Sequence, residues 1–444
     1  MDQNSRTERE HAIVIGGSMA GLLATRVLAD HFRQVTLVER DVFPSMAEQR
    51  RGVPQGRHVH GLLASGRRVL DQLFPGISEQ LIAAGAIEGD IVRDSRFFAE
   101  GACLARRASG LEGLLMSRPF LENFVRQRVL NLSNVVTRQD CRVDGLTASE
   151  DRRRVTGIRQ NGEVLSVELV VDATGRGSRT PQWLETLGYP KAPEERVEIA
   201  LGYTTRYFRR RPQDLGGDLA AIIPPTPLGK RGGAMLAQED DQWAVTLLAH
   251  FGTGAPEDLS GFIEFAKNLP APYIYEVIRD AEPLNGPASL RFPASVRRRY
   301  EKLERFPDGY LVFGDAISSF NPIYGQGMSV AALEAMELAQ TLAEGSGDLA
   351  RRFFTRMAKV VDIPWAIAVG ADLRIPEAVG PRSAGVNFVN WYMARLHKAA
   401  HDDPALALAF YNVSNLLAPP SSVMNPRNLL RVLWGNLRSG SGDV

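Results

Sequence analysis

Apolar and polar positions follow two different periods along this chain, and each change of period marks an element. Residues 12–15 are a short β-branched apolar run, the pattern of a central parallel strand buried on both faces. Gly16-Gly17-Ser18-Met19-Ala20-Gly21 then turns the chain, and over 21–29 apolar residues return at helical spacing. A second apolar strand, 34–38, ends in Glu39. The spacing predicts a helix over 66–74 and another opening at Ser117, an N-cap candidate with Pro119 suited to an early helical position. Sheet is expected over 91–104, at 135–136 and over 141–146, followed by a hairpin over 155–171 that turns at Asn161-Gly162.

From residue 198 the pattern changes. Strand-length pieces at 199–208, 219–223, 233–237 and 243–250 alternate with turns such as Pro224-Pro225-Thr226-Pro227, with one helix near 260–268. This is the pattern of an inserted antiparallel sheet. A strand at 310–313 delivers Asp315 to its carboxyl edge, and Gly325 to Gly327 opens a long apolar helix over 328–342. Beyond residue 349 the chain reads as helical, with amphipathic stretches at 388–400 and 405–417 and a closing helix at 427–434. Met357, Trp365, Met393 and Trp434 are assigned to the core. The expected fold is α/β: a Rossmann-like domain, an inserted antiparallel-sheet domain and a helical C-terminal region.

Composition narrows the class of partner. At 444 residues the chain is too long for one simple core. A hydrophobic content of 44% and a net charge of +1 give no reason to expect nucleic acid or a membrane surface as partner. The arginine triplets at Arg152, Arg209 and Arg297 read as solvated turns or helix faces. Two cysteines offer neither a disulfide framework nor a metal cluster, so a reducing cytoplasm is expected. The polar start up to His11 is no signal peptide, and no apolar run reaches the roughly 18 residues of a spanning helix.

Three motifs carry the chemistry. Strand, glycine turn, helix, strand and terminal acid are the parts of a dinucleotide-binding unit, in which turn amides receive a pyrophosphate and Glu39 accepts ribose hydroxyls. Ser18 stands where the middle glycine of the usual fingerprint belongs, yet is small enough to keep the backbone near a phosphate. The second motif runs from Asp172 through Gly175 to Arg179 after an apolar strand, and the third joins Gly314-Asp315-Ala316 to Asn321-Pro322-Ile323-Tyr324-Gly325-Gln326-Gly327-Met328. His58 and His60 could suggest a metal, but no carboxylate or cysteine ligand is near and Arg57 would repel a cation. A segment threading past a bound anion or ring fits them better.

Together the motifs resemble those of the flavoprotein monooxygenases of the para-hydroxybenzoate hydroxylase fold, class A, over about residues 11–342. Pro54 to Leu63 and Phe320 to Met328 are similar to the natural-product branch that includes polyether epoxidases. The resemblance implies FAD, with Gly16, Gly17, Ser18 and Gly21 at its pyrophosphate and Glu39, beside Arg40, at the adenosine ribose. It implies Arg118 as an FAD-binding arginine, Asp172 and Gly175 as a second FAD contact, and Asp315 at the ribityl chain or pyrophosphate. Pro322, Gly325, Gln326, Gly327 and Met328 would lie at the pyrimidine edge of the flavin, and Gly56, Arg57 and His58 beside the isoalloxazine. Residues 11–90, 116–185 and 299–345 would form the FAD-binding domain, 91–115 and 186–298 the substrate domain, and 346–444 the helical C-terminal region.

The implied reaction is epoxidation or hydroxylation of an apolar natural-product intermediate, such as a polyketide or terpenoid, through a flavin C4a-hydroperoxide. NADPH or NADH would be the transient reductant. Such chemistry belongs to the cofactor, so no catalytic acid or base is assigned. A flavin-dependent halogenase would carry W-x-W-x-I-P, which Ile363-Pro364-Trp365 does not match. An FAD-containing, redox-neutral cyclase of the same fold, templating a [4+2] addition, stays open as the alternative.

Overall fold

The computed structural model of the chain describes residues 9–439 except Thr253. Residues 1–8, on which the expectation of no signal peptide largely rests, and 440–444 lie outside the described residues. Strand β1 (Arg9–Ile15), helix α1 (Met19–Ala29) and β2 (Phe32–Val38) form the opening βαβ unit. Helices α2 (Ala64–Leu73) and α3 (Ile77–Ala83) precede four short strands, β3 (Ile87–Asp90), β4 (Ser95–Ala99), β5 (Ala102–Cys103) and β6 (Glu112–Leu115). Helix α4 (Arg118–Leu130) leads to β7 (Val135–Arg138), β8 (Val143–Ala148), β9 (Val155–Gln160), β10 (Glu163–Ser166) and β11 (Leu169–Asp172). After α5 (Thr180–Thr186) come β12 (Glu194–Arg209), β13 (Ala220–Ile223), β14 (Arg231–Gln238), β15 (Gln242–His250), α6 (Leu259–Lys267), α7 (Tyr273–Ile278) and β16 (Ala288–Arg298). Then follow β17 (Tyr310–Val312), β18 (Ser318–Ser319), α8 (Gly327–Ala343), α9 (Leu349–Asp372), α10 (Ala384–Ala399), α11 (Pro404–Ser414) and α12 (Pro426–Ser439).

A five-stranded parallel sheet has the order β17-β11-β1-β2-β7. Its strands are apolar at successive residues, not at alternate ones, because both faces are covered: Ala12, Ile13, Val14, Val170, Val171 and Leu311 are all fully buried. The second sheet has eight strands in the order β18-β16-β12-β15-β14-β13-β4-β5, antiparallel except where β13 meets β4. Here the strand period of two divides the side chains. Val245, Leu247, Met235 and Ala237 enter a core with Phe262 and Ile274 of α6 and α7, while Thr246, Leu248, His250, Ala234 and Leu236 line a cavity on the other face. The C-terminal helices pack around Tyr392, Leu396, Leu406 and Tyr411.

Several expectations are corrected. The apolar run after Asn161 is not one hairpin limb: β10 pairs with β9, whereas β11 crosses to lie parallel to β1. Periodicity does not say which sheet an apolar residue joins. Sheet at 91–104 starts only at Ser95, because the Asp90 carboxylate gathers the amides of Val92, Arg93, Ser109 and Gly110 into a turn. The Arg297 triplet is not solvated. Arg297 is 1% exposed, 2.7 Å from Asp362 of α9, and Arg299 pairs with Glu195 and Glu301, because β16 forms the seam between the large sheet and α9. Trp434 is no core residue: it is exposed on α12 with Leu430, Leu433 and Leu437. Among the described residues no helix is long and apolar enough to cross a membrane.

Candidate functional site

A single cavity of about 1710 Å3 extends from the carboxyl edge of the parallel sheet, over the open face of the large sheet, to α9, α10 and α11. Small-molecule pockets commonly span about 300–1,000 Å3. This one has room for a dinucleotide and a second ligand together. Ligands of open α/β sheets bind at the carboxyl edge of the strands, where this cavity begins.

At that edge the glycines of the first motif serve different purposes. Gly16 has φ +100°, and a Cβ there would meet the Ala173 carbonyl oxygen at 2.7 Å. A Cβ on Gly21 would lie 1.7 Å from the Gly16 carbonyl oxygen. The backbone of α1 therefore touches the turn directly. Ser18 takes the N-cap position of α1 without capping it. Its hydroxyl instead accepts from Arg118 Nη2 (2.8 Å) and donates to Glu122 Oε2 (3.2 Å), tying the turn to α4. The structure thus gives the serine in place of glycine a role of its own.

A buried charge network supports this end. Arg50 contacts Glu39 (3.0 Å) and Glu122 (2.8 Å) and donates to the Gly17 carbonyl (2.8 Å), while Arg118 pairs with Glu122 (2.9 Å). Burial alone would raise the Glu122 pKa, but Arg118 and Arg50 outweigh it and hold the carboxyl below its ordinary value. The carboxylate of Glu39 accepts from the Gly17 amide (2.7 Å) and the Asp41 amide (3.1 Å). Helix α4 begins as expected, with Ser117 Oγ accepting from the Phe120 amide.

The middle of the cavity is formed by the third motif. Asp315, half-buried at the end of β17, faces Arg118 and Arg176. Burial raises its pKa against the pull of both arginines. Below it, Glu334 of α8 accepts the Gly314 amide at 2.6 Å, and burial lifts its pKa to about 8. Gly325 adopts φ +64°, and α8 then starts at Gly327 with its amino end in the cavity wall. Gln326 is 2% exposed and its Oε1 has no protein partner. Asn321 Nδ2 (2.7 Å) and the Tyr324 hydroxyl (2.9 Å) donate to Asp372 Oδ1, whose burial raises its pKa to about 7. On the opposite wall, burial lowers His58 to about 4 and His60 to about 3, so both rings are neutral at pH 7. His58 Nδ1 is 2.8 Å from Thr205 Oγ1 of β12.

The cavity brings together Gly16, Gly17, Ser18, Glu39, Arg40, His58, Arg118, Gly175, Asp315, Pro322, Gly325, Gln326, Gly327 and Met328. Four expected residues are not among its lining. Gly21 acts by packing against Gly16. Gly56 packs on Gln49, and Arg57 is exposed. Asp172 is fully buried and accepts from the Thr174 amide and from the hydroxyls of Thr174, Ser178 and Thr180, so it shapes the turn that presents Gly175. Sequence reasoning missed Arg50, which sits in a loop without periodicity. It also missed Arg176, whose guanidinium lies 4.2 Å over the Phe292 ring. Glu122 could have been found from its helical spacing to Arg118. Among the described residues no group of His, Cys, Asp and Glu could hold a metal ion.

This combination of sheets and cavity is the fold of the flavoprotein monooxygenases. The chain is similar to a flavoprotein/dehydrogenase from Cytophaga hutchinsonii (TM-score 0.68, 15% identity, 97% of this chain and 100% of that one). It is also similar to the flavin-dependent brominase Bmp2 (0.60, 15%, 96% and 94%) and to PqsL, a probable FAD-dependent monooxygenase from Pseudomonas aeruginosa (0.59, 18%, 90% and 99%). In sequence it is 34% identical over 455 residues to Protein Rv3254 of Mycobacterium tuberculosis, covering 97% of this chain and 94% of that protein, and it belongs to the same family. No family model matches it.

Proposed function

We propose that the chain is an FAD-dependent monooxygenase that epoxidises or hydroxylates an apolar small molecule of natural-product type, with NADPH or NADH as transient reductant. The observation that carries this reading is the junction at Pro322 to Met328. There a helix amino end, a left-handed glycine and the unpartnered carbonyl of Gln326 face a cavity whose two ends differ in chemistry.

The residues present fit FAD. The amino end of α1 would bind the pyrophosphate, with Arg118 and Arg50 beside it. Glu39 would accept ribose hydroxyls, and Asp315 a hydroxyl of the ribityl chain. Gln326 Oε1 would accept an N–H of the flavin ring, and the amino end of α8 would stabilise negative charge at its pyrimidine edge. When bound, FAD would supply the redox chemistry and the activation of oxygen. Leu248, Ile222 and Phe320 would keep water from the junction and orient the substrate there. His58, held neutral against Thr205, would serve as wall and hydrogen-bonding group, not as a cation. The two free cysteines fit a reducing cytoplasm.

The test is anaerobic reduction of the FAD-loaded protein by NADPH with a candidate substrate, followed by a pulse of labelled dioxygen. Gain of one labelled oxygen atom in the product supports the reading. Conversion to an isomer of unchanged mass, equally fast without NADPH or oxygen, would make the protein a redox-neutral cyclase.

A further inference from the structure

The helical end of the cavity, lined by α9 to α11, holds a polar group that the proposed reaction does not use. His397 of α10 is 7% exposed and lines the cavity, and neither of its ring nitrogens has a hydrogen-bond partner. Buried polar atoms in folded proteins are nearly always paired, so two orphaned nitrogens on one ring are unusual. The imidazole stands edge-on to Phe410, with centroids 4.7 Å apart and planes at 90°, and lies 6.2 Å from Phe97 of β4. Ile367 of α9, Met393 of α10 and Tyr411 of α11 line the same cavity and share one apolar cluster with Phe97, beside the polar Asn390 and Arg374.

Charge limits what this chamber can take. Burial, with Arg374 and His401 nearby, lowers the His397 pKa to about 3, so the ring is neutral, with one donor and one acceptor nitrogen. Arg374, a cation in the same wall, is already paired with Glu100. Among the described residues the groups whose charge acts on His397 are Arg374, so paired, and His401, whose ring nitrogen contacts the Ala99 carbonyl, so a neutral hydroxyl or carbonyl suits the ring nitrogens better than an anion.

We infer that β4 and helices α9 to α11 form a substrate subsite in which His397 anchors a ligand that is apolar or aromatic over most of its surface and carries one neutral hydroxyl or carbonyl group. The subsite rests on the monooxygenase reading only in placing the reacting end of that ligand at Pro322 to Met328. His397 is then a positioning residue that sets the reach of the substrate from its anchor to the junction.

The test uses a matched pair of probes, 2-naphthol and 2-methylnaphthalene, which share a ring system and differ in the hydroxyl. Binding to the full-length protein is followed by calorimetry, with FAD content and flavin absorbance recorded separately. The wild type should bind 2-naphthol at least tenfold more tightly than 2-methylnaphthalene. His397→Phe should remove that preference with FAD content unchanged, and His397→Gln should restore part of it. Equal affinity of the two probes for the wild type, binding of neither, or a preference that survives His397→Phe would overturn the subsite. Should His397→Phe fail to fold, His397→Leu takes its place under the same criterion. A protein without FAD that still shows the His397-dependent preference would retain the subsite and lose the cofactor reading.

Discussion

At the parallel-sheet end of the cavity the wall is largely backbone. Glycines 16, 17 and 21 let strand, turn and helix approach within contact distance, and two arginines and two carboxylates, nearly all buried, lock that geometry from behind. At the helical end the wall is side chains: Phe97, Ile367, Met393, His397, Phe410 and Tyr411 come from four elements and enclose one unpartnered imidazole. The first kind of wall fixes the position of a constant group and tolerates no change of volume. The second can be refitted one side chain at a time, which would suit the substrate subsite inferred there.

The sharpest break in this comparison is Gly21→Ala. Overpacking typically costs about 1–3 kcal/mol, and a Cβ 1.7 Å from a backbone oxygen should place this variant at the upper end or beyond. Urea denaturation should show the loss together with failure to retain FAD. Met393→Leu at the other end should cost less than about 1.5 kcal/mol. Equal losses would erase the distinction between a backbone wall and a side-chain wall.

Arg118→Ala tests the charge network, since it removes the partner shared by Ser18 and Glu122. The loss of charge-assisted hydrogen bonds worth about 1.5–3 kcal/mol predicts FAD affinity reduced by roughly ten- to hundredfold in a titration of cofactor-stripped protein. Asp315→Ala should fall in the same range. Unchanged affinity in both would mean that the cofactor lies elsewhere.

Glu334 gives a pH signature of the same end. Its pKa is about 8 in the fold against 4.5 ordinarily. Between these values the unfolded chain binds fewer protons than the folded one, so the contribution of this group is intact below about pH 4.5 and is lost as pH rises towards 8. Stability should fall by up to about 1.4 kcal/mol per pH unit in that window, and Glu334→Gln should flatten the slope. A variant with the wild-type slope would assign the dependence to other groups. The smallest effect is expected for Ser18→Gly, which loses two charge-assisted hydrogen bonds to partners that stay paired with each other, so the net cost should stay near the lower bound of about 1.5 kcal/mol for one such bond. FAD affinity should then fall less than about thirtyfold.

The same contrast explains what could be read from the sequence. The β1–α1–β2 unit, the Ser117 cap and the start of α8 depend on residues within a few positions of one another, so local pattern sufficed. Asp172 resembled a cofactor contact because it is an acid at a strand end, but hydroxyls within eight residues satisfy its carboxylate. Arg50 and Arg297 owe their roles to partners 11 to 72 positions away in sequence, which no periodicity reports. The helical end left no motif at all. His397 lies about 300 positions from Phe97, and only the folded chain puts them in one wall.

The central claim, that the glycine-walled end holds FAD, is tested most directly by the absorbance spectrum and releasable cofactor of the purified protein. The account predicts yellow protein with an oxidised flavin spectrum and about one FAD released per chain on denaturation, as expected for one cofactor at the carboxyl edge of the parallel sheet. Colourless protein that cannot be reconstituted with added FAD would contradict it.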